Sequence, residues 1–296
     1  MAQCTNTAPA SGTTVTCSGT STTPVAAVAG STGVTINVSP GASVSAVHAT
    51  AVPFPLLSVQ SSSTITNNGT LTLTGGGGSG TNRGAAILGN TSGNALTNNG
   101  TISTTGAFND GVAANGSGNT LINNGTITTT GPNAYGMTAA WGQTNTGQLN
   151  NTLINTGSVS TSGSNARAAS ILGGSGTINN SGTLATTGSS SNSAYLQGNN
   201  DQLINSGMII ASGGTLSGGT TPDAVFSNTL PGFTATIQNL AGGQIISANA
   251  AAIRTLNGAT TVINAGLLQS GVGTANGGGG TNTVTCKALA PRRIHS

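Results

Sequence analysis

A chain that writes Asn-x-Gly at a fixed interval, with aliphatic residues held at fixed offsets on either side, has few folds open to it. The reference copy, TLINNGTITTTG at 120–131, returns in variants anchored on Gly69, Gly100, Gly125, Gly157, Gly182, Gly207, Gly243 and Gly266. Its shortest clean interval is 25 residues, seen three times. Two residues before the anchor stand Asn67, Asn98, Asn123, Asn155, Asn180, Asn205 and Asn264, and Asn239 joins them if two residues are inserted before Gly243. Aliphatic columns flank the bend, with Ile65, Leu96, Leu121, Leu153, Ile178, Leu203, Ile237 and Val262 before it. After it come Leu71, Ile102, Ile127, Val159, Leu184, Ile209, Ile245 and Leu268.

Around each glycine the apolar residues alternate with Thr and Ser at period two, the pattern of strands with one buried face. A unit this short cannot bury its own apolar side, so it must stack on copies of itself as a solenoid. Stacking sets equivalent residues about 4.8 Å apart. An Asn at one bend of every coil then passes a carboxamide hydrogen bond to the next, satisfying turn polarity along the axis. The Gly that follows is expected to supply a left-handed or otherwise strained backbone.

Composition narrows the function classes. The 296 residues include six Lys or Arg and three Asp, with no Glu, and 48 Gly. Such a content would suggest disorder were it not for the aliphatic register. The net charge of +3 comes largely from Lys287, Arg292 and Arg293, leaving Arg83, Arg167 and Arg254 against Asp110, Asp201 and Asp223 in the repeat body. A nucleic-acid partner needs a basic stripe, and the sequence has none. No apolar run reaches the ~20 residues of a membrane span. Cys4 and Cys17 suit a disulfide in an oxidising compartment, against the alternative of two free thiols, and Cys286 is left odd.

Taken in order, residues 1–60 read as a leader and cap, with the alternating VTINV and ASVSAV and the Pro-bounded PFPLL covering the first open coil. Residues 61–275 form the repeat body, and Gly/Asn/Thr-rich insertions at 75–84, 142–150 and 213–223 read as loops. Residues 276–296 read as a linker or non-native tail.

With LINNGTITTTG, LINTGSVSTSG, INNSGTLATTG, LINSGMIIASG and the AQCTNT...VTCSGT terminus in hand, residues 2 to about 275 resemble the passenger domain of a bacterial autotransporter. The resemblance implies an all-β, right-handed parallel β-helix with coils of about 25 residues. It also implies export across both membranes to the cell surface or beyond, through a C-terminal translocator barrel that this chain does not include.

Little chemistry is written on this frame. His48 is the sole His before the tail, and no nucleophile motif accompanies it, so it reads as a cap residue. Asp110, Asp201 and Asp223 are isolated, each follows Asn or Pro, and turn formation accounts for them. No His/Cys/carboxylate group has ligand spacing, and the glycine runs lack a phosphate-loop Lys; no catalytic residue, metal or cofactor is expected. Ala134-Tyr135, Ala166-Arg167, Ala194-Tyr195 and Ala224-Val225 read as one column of an inward Ala and an outward neighbour. Tyr135, Arg167 and Tyr195 then form an exposed file that either binds a glycan or partner or stacks as a cation–π ladder. Trp141 is a further candidate contact or a loop anchor. The Thr126, Thr128, Thr130 ranks resemble an ice-binding face but decay to Met208-Ile210. The expected activity is adhesion or self-association, with like molecules or host glycan and protein surfaces as partners. A passive stalk is the competing reading, and a polysaccharide-acting enzyme fits less well.

Overall fold

The computed structural model describes residues 3–49, 52–76, 79–139, 147–215, 221–271 and, for its backbone, 282–286. Among them every regular element is a strand, and all the strand ladders are parallel and stack into a β-solenoid. Each coil carries three short strands on three faces. In the reference coil these are Thr120–Asn123 on face A, Thr126–Thr129 on face B and Tyr135–Ala139 on face C. Their partners lie one coil above and below. Leu121 pairs with Leu96 and Leu153, Ile127 with Ile102 and Val159, and Met137 with Val112 and Ala169. Face B is a separate 10-stranded sheet, whereas faces A and C merge into an 18-stranded one because Val225–Asn239 and Ile253–Asn264 run through both. The mean coil spacing is ~27 residues, wider than the bare 25-residue unit because the inserted loops lengthen several coils.

Period-two alternation places the aliphatic columns inside. Ile65, Leu96, Leu121, Leu153 and Ile178 on face A, and Leu71, Ile102, Ile127, Val159 and Leu184 on face B, are all buried, each stabilising the column by roughly 1.5–3 kcal/mol. Face C adds Ile87, Val112, Met137, Ala169, Ala194 and Val225 to the same core. At the second inward position of face B stand Thr104, Thr129 and Thr186. Their hydroxyls donate to the carbonyls of Asn109, Ala134 and Ser191, tying down the turn into face C.

The turn from A to B is the Asn-Gly bend. Asn67, Asn98, Asn123, Asn155, Asn180, Asn205, Asn239 and Asn264 form one file, in which each Nδ2 donates to the Oδ1 of the next at 2.8 Å. A second, solvent-facing file runs beside it: Asn99 Nδ2 donates to Asn68 Oδ1 and Asn124 Nδ2 to Asn99 Oδ1, each at 2.8 Å. The anchor glycines have a different cause from the one expected, since none of them has positive φ. A Cβ on Gly125 would collide with the carbonyl oxygen of Gly100 one coil away, and one on Gly182 with that of Gly157. The bend needs glycine because stacked backbones approach too closely for a side chain. Left-handed residues sit mostly at the other corners, Gly41 and Gly242 being the ones at the A-to-B bend. Ser62, Gly93, Gly118, Asn150, Ser175 and Asn200 lie between C and A, and Phe108, Asn133, Asn165 and Ser190 between B and C.

Both ends depart from the expected boundaries. The leader and cap of residues 1–60 already belongs to the solenoid, because Thr14–Cys17 pairs with Thr35–Val38, and that strand pairs with Thr64–Asn67. Cys17 and Val38 take the Asn position there, which hid these coils from a search keyed on Asn. The segment that closes the open end is shorter. Cys4 bridges antiparallel to Cys17 and is joined to it by a disulfide, while Thr7 and Pro9 accept from the amides of Ala26 and Val28. At the other end Asn282–Cys286 pairs parallel with Thr260–Asn264, so the ladder passes the limit expected at residue 275.

Candidate functional site

The arginines of the repeat body and several aromatic rings gather along the corner between faces B and C and the adjoining outer side of face C. Arg83 lies over the ring of Phe108 at 5.3 Å and over Tyr135 at 4.3 Å. Arg167 lies between Tyr135 at 5.1 Å and Tyr195 at 3.4 Å. Tyr195 meets Phe226 edge to face at 5.5 Å, and Arg254 lies over Phe226 at 4.9 Å. Rings and guanidinium groups thus form one continuous series across successive coils, each contact drawing on the attraction of a cation for a π face.

The expected single column of Tyr135, Arg167 and Tyr195 requires correction. Register pairs Tyr135 with Arg167 and Arg167 with Asn192, whereas Tyr195 pairs with Ser170 and Phe226. Ala134 and Ala166 precede the first column, Ala194 pairs with Ala169 and Val225, and Ala224 falls one position before Val225, so the Ala series is spread over three columns. Tyr195 is 4 % exposed, not a surface residue, and it reaches Arg167 from three positions further along its strand. The offset arises because the stretch from Ser189 to Tyr195 enters face C three residues earlier relative to its Ala than the stretch from Asn133 does.

Charge balance differs along the series. Arg83 is buried and donates from Nε and Nη2 to both oxygens of Asp110, at 2.8 and 2.5 Å, and from Nη2 to the Asn133 carbonyl. Burial pulls its pKa down, but the charge and hydrogen bonds of Asp110, with Tyr135, outweigh this and hold it above the ordinary arginine value. Asp110 Oδ1 also accepts from the backbone N–H of Tyr135 at 2.6 Å. Arg254 faces Asp223 at 3.7 Å and donates to Thr221. Burial raises the Asp223 pKa, against the opposing bonds from Thr221, Ala251 and Arg254. Arg167 has neither a carboxylate nor a hydrogen-bond acceptor among the described residues. Beside it opens a cleft of about 270 Å³ lined by Asn133, Tyr135, Asn165, Arg167, Tyr195 and Asn228 among others.

The remaining candidates are structural. Asp110 is the second residue of the strand Asn109–Ala114 and Asp201 the first of Asp201–Asn205, so neither sits in a turn. Asp201 is fully buried, accepts from the amides of Gly176 at 3.0 Å and Gly198 at 2.7 Å, and burial lifts its pKa to about 7. It occupies the corner where Asn94, Asn119 and Asn151 accept from the amides of Ser63, Asn94 and Asn119. His48 is buried, with Nδ1 against Asn109 Oδ1 at 2.7 Å, Nε2 against the Val52 carbonyl and its ring stacked on Phe54. Trp141, Lys287, Arg292, Arg293 and His295 lie outside the described residues.

Sequence reasoning missed Arg83, Phe108, Phe226 and Arg254 as members of the series. A usable signal existed: every Arg of the repeat body falls near the start of a face C strand, visible once coils are aligned on that face instead of on the Asn-Gly bend. Among the described residues no three His, Cys, Asp or Glu side chains come together, and no helix is long and apolar enough to cross a membrane. Comparison of the chain with protein-family models, curated proteins and solved structures finds no match.

Proposed function

We propose that this chain is the passenger portion of a bacterial autotransporter, displayed at or released from the cell surface and acting by non-catalytic contact in adhesion or self-association. The observation that carries this reading is the outer surface of faces A and B. Outward positions align coil over coil as uncharged hydroxyl ranks: Thr120, Thr152 and Thr177 on face A, and Thr70, Thr101, Thr126, Ser158 and Thr183 on face B. Each contact such a rank makes is weak, and repetition at fixed spacing multiplies them. The carboxylates support the same reading, since Asp110, Asp201 and Asp223 are each spent on internal partners. Below Thr183 and Ala185 the face B rank turns to Met208 and Ile210, which argues against a lattice-matching ice surface.

The test is the clumping of beads coated with the chain. Coated beads should settle faster than bare ones, and replacing Thr101, Thr126 and Thr183 with Lys should disperse them by like-charge repulsion. Coated beads that neither clump with one another nor bind to host-cell or glycan-coated surfaces more than bare ones would remove the contact reading and leave the rigid stalk, which the internally bonded Asn file and the disulfide-closed first coil favour.

A further inference from the structure

We propose that Arg167 is the receptor for the carboxylate or sulfate group of an acidic sugar, bound in the cleft between faces B and C. The inference deepens the contact function proposed above, and rests on it, by naming the ligand chemistry of one site.

Three observations converge there. The first is a missing counterion. Of the three cations in the ring–guanidinium series, Arg83 holds Asp110 through two hydrogen bonds and Arg254 faces Asp223, whereas Arg167 between them has no carboxylate among the described residues. The second is preorganisation. Tyr135 and Tyr195 hold the guanidinium at 5.1 and 3.4 Å from their ring centres. Stacking engages the π faces and leaves the in-plane N–H groups available, and these match the oxygens of a carboxylate or sulfate two at a time. Because the rings already fix the side chain, little rotamer freedom is lost on binding.

The third observation is the surroundings. The cleft of about 270 Å³ lies near the lower end of small-molecule sites, which suits one saccharide unit. Asn133 and Asn165 line it, and neither side-chain amide hydrogen-bonds to another described residue. Both hold a left-handed backbone, φ 54° and 53°, that fixes the corner from which they project. Asn228 adds a carboxamide oxygen, its Nδ2 donating to the Tyr195 hydroxyl at 2.9 Å. Neutral amides beside a cation supply the donors and acceptors that sugar hydroxyls need, and the cation selects an acidic ring over a neutral one.

Affinity electrophoresis of the full chain through gels carrying polygalacturonate, dextran sulfate or uncharged dextran tests this. The chain should be retarded by polygalacturonate, dextran sulfate or both, the two acidic arms separating carboxylate from sulfate recognition, and should migrate freely in dextran. Arg167→Gln should weaken retention tenfold or more. Asn165→Gly, which keeps the left-handed backbone and removes only the amide, should weaken it several-fold at an unchanged melting temperature. A K287Q/R292Q/R293Q variant should be retained like the parent. No retention of the parent by either acidic polymer, equal retention in dextran, or loss of retention only in the K287Q/R292Q/R293Q variant would overturn the proposal. Undiminished retention of Arg167→Gln would do so as well, whatever Asn165→Gly shows. Bead clumping without polymer reads the contact function separately, so loss of the glycan site with clumping intact would sink this inference alone.

Discussion

Asn123→Ala against Asn124→Ala is the sharpest test of what holds the column together, because neighbouring residues make the same kind of amide contact on opposite sides of the surface. Asn123 is fully buried; its Nδ2 donates to Asn155 Oδ1 at 2.8 Å and to the Gly125 and Ser158 carbonyls at 3.2 Å. Its Oδ1 accepts from Asn98 Nδ2. Truncation leaves Asn98 Nδ2 with the Gly100 and Thr126 carbonyls, but Asn155 Oδ1 loses the one donor described for it. An orphaned buried acceptor costs about 1–3 kcal/mol, and the lost atoms leave a void, for a sum of roughly 2–4 kcal/mol. Asn124 is exposed, and water replaces its bonds to Asn99 and Thr156, so its truncation should stay within about 0.5 kcal/mol. Urea titration gives the total. Hydrogen exchange at the amides of coils 98–101 and 155–158 locates the loss, since a repeat array need not unfold as one unit. Equal midpoints for the two variants, within error, would refute the claim that the inner file bears the load.

Other perturbations separate causes that look alike in the sequence. Gly125→Ala places a Cβ against the Gly100 carbonyl and should cost several kcal/mol in urea stability; Gly41→Ala, at φ +76° in open space, should cost about 1 kcal/mol. Cys4→Ser should remove about 3 kcal/mol of local stability, read as faster exchange confined to the first coil, because the disulfide closes a short loop of sequence separation 13. Asp201 binds its proton more tightly folded than unfolded, with a pKa near 7 against 3.8. Its contribution is therefore complete below about pH 4 and is lost as pH rises through 7, on the order of 4 kcal/mol at most. Asp201→Asn should flatten the fall in urea midpoint between pH 4 and 8, and an unchanged slope would assign that fall to other groups.

The fold was legible because its two strongest signals, aliphatic alternation and recurrent Asn, are set by burial and by the need to pair a polar bend. Those forces act identically on every coil. Coils that use Cys17 or Val38 at the same corner were unreadable by that key, since a residue without an amide leaves no trace of the ladder. The glycines were located correctly but for the wrong reason, because coil-to-coil approach is a property of the stack and not of the bend. The site was half visible. Tyr135 and Arg167 stand in true register, but Tyr195 joins them through a three-residue offset that local sequence does not encode. Arg83 and Asp110 meet across 27 residues, a distance only the winding closes.

The inner carboxamide file has a sense of direction. Every donor points toward the coil that follows and every acceptor toward the coil that precedes, so each coil presents the same socket on one side and the same plug on the other. A whole unit such as the 25 residues from Asn98 to Ile122 can therefore be duplicated in frame without leaving a carboxamide of the file unmatched, whereas its excision would also take Asp110 from the buried Arg83. Length in such a molecule can drift through gain or loss of complete turns, while a partial turn breaks the match at once.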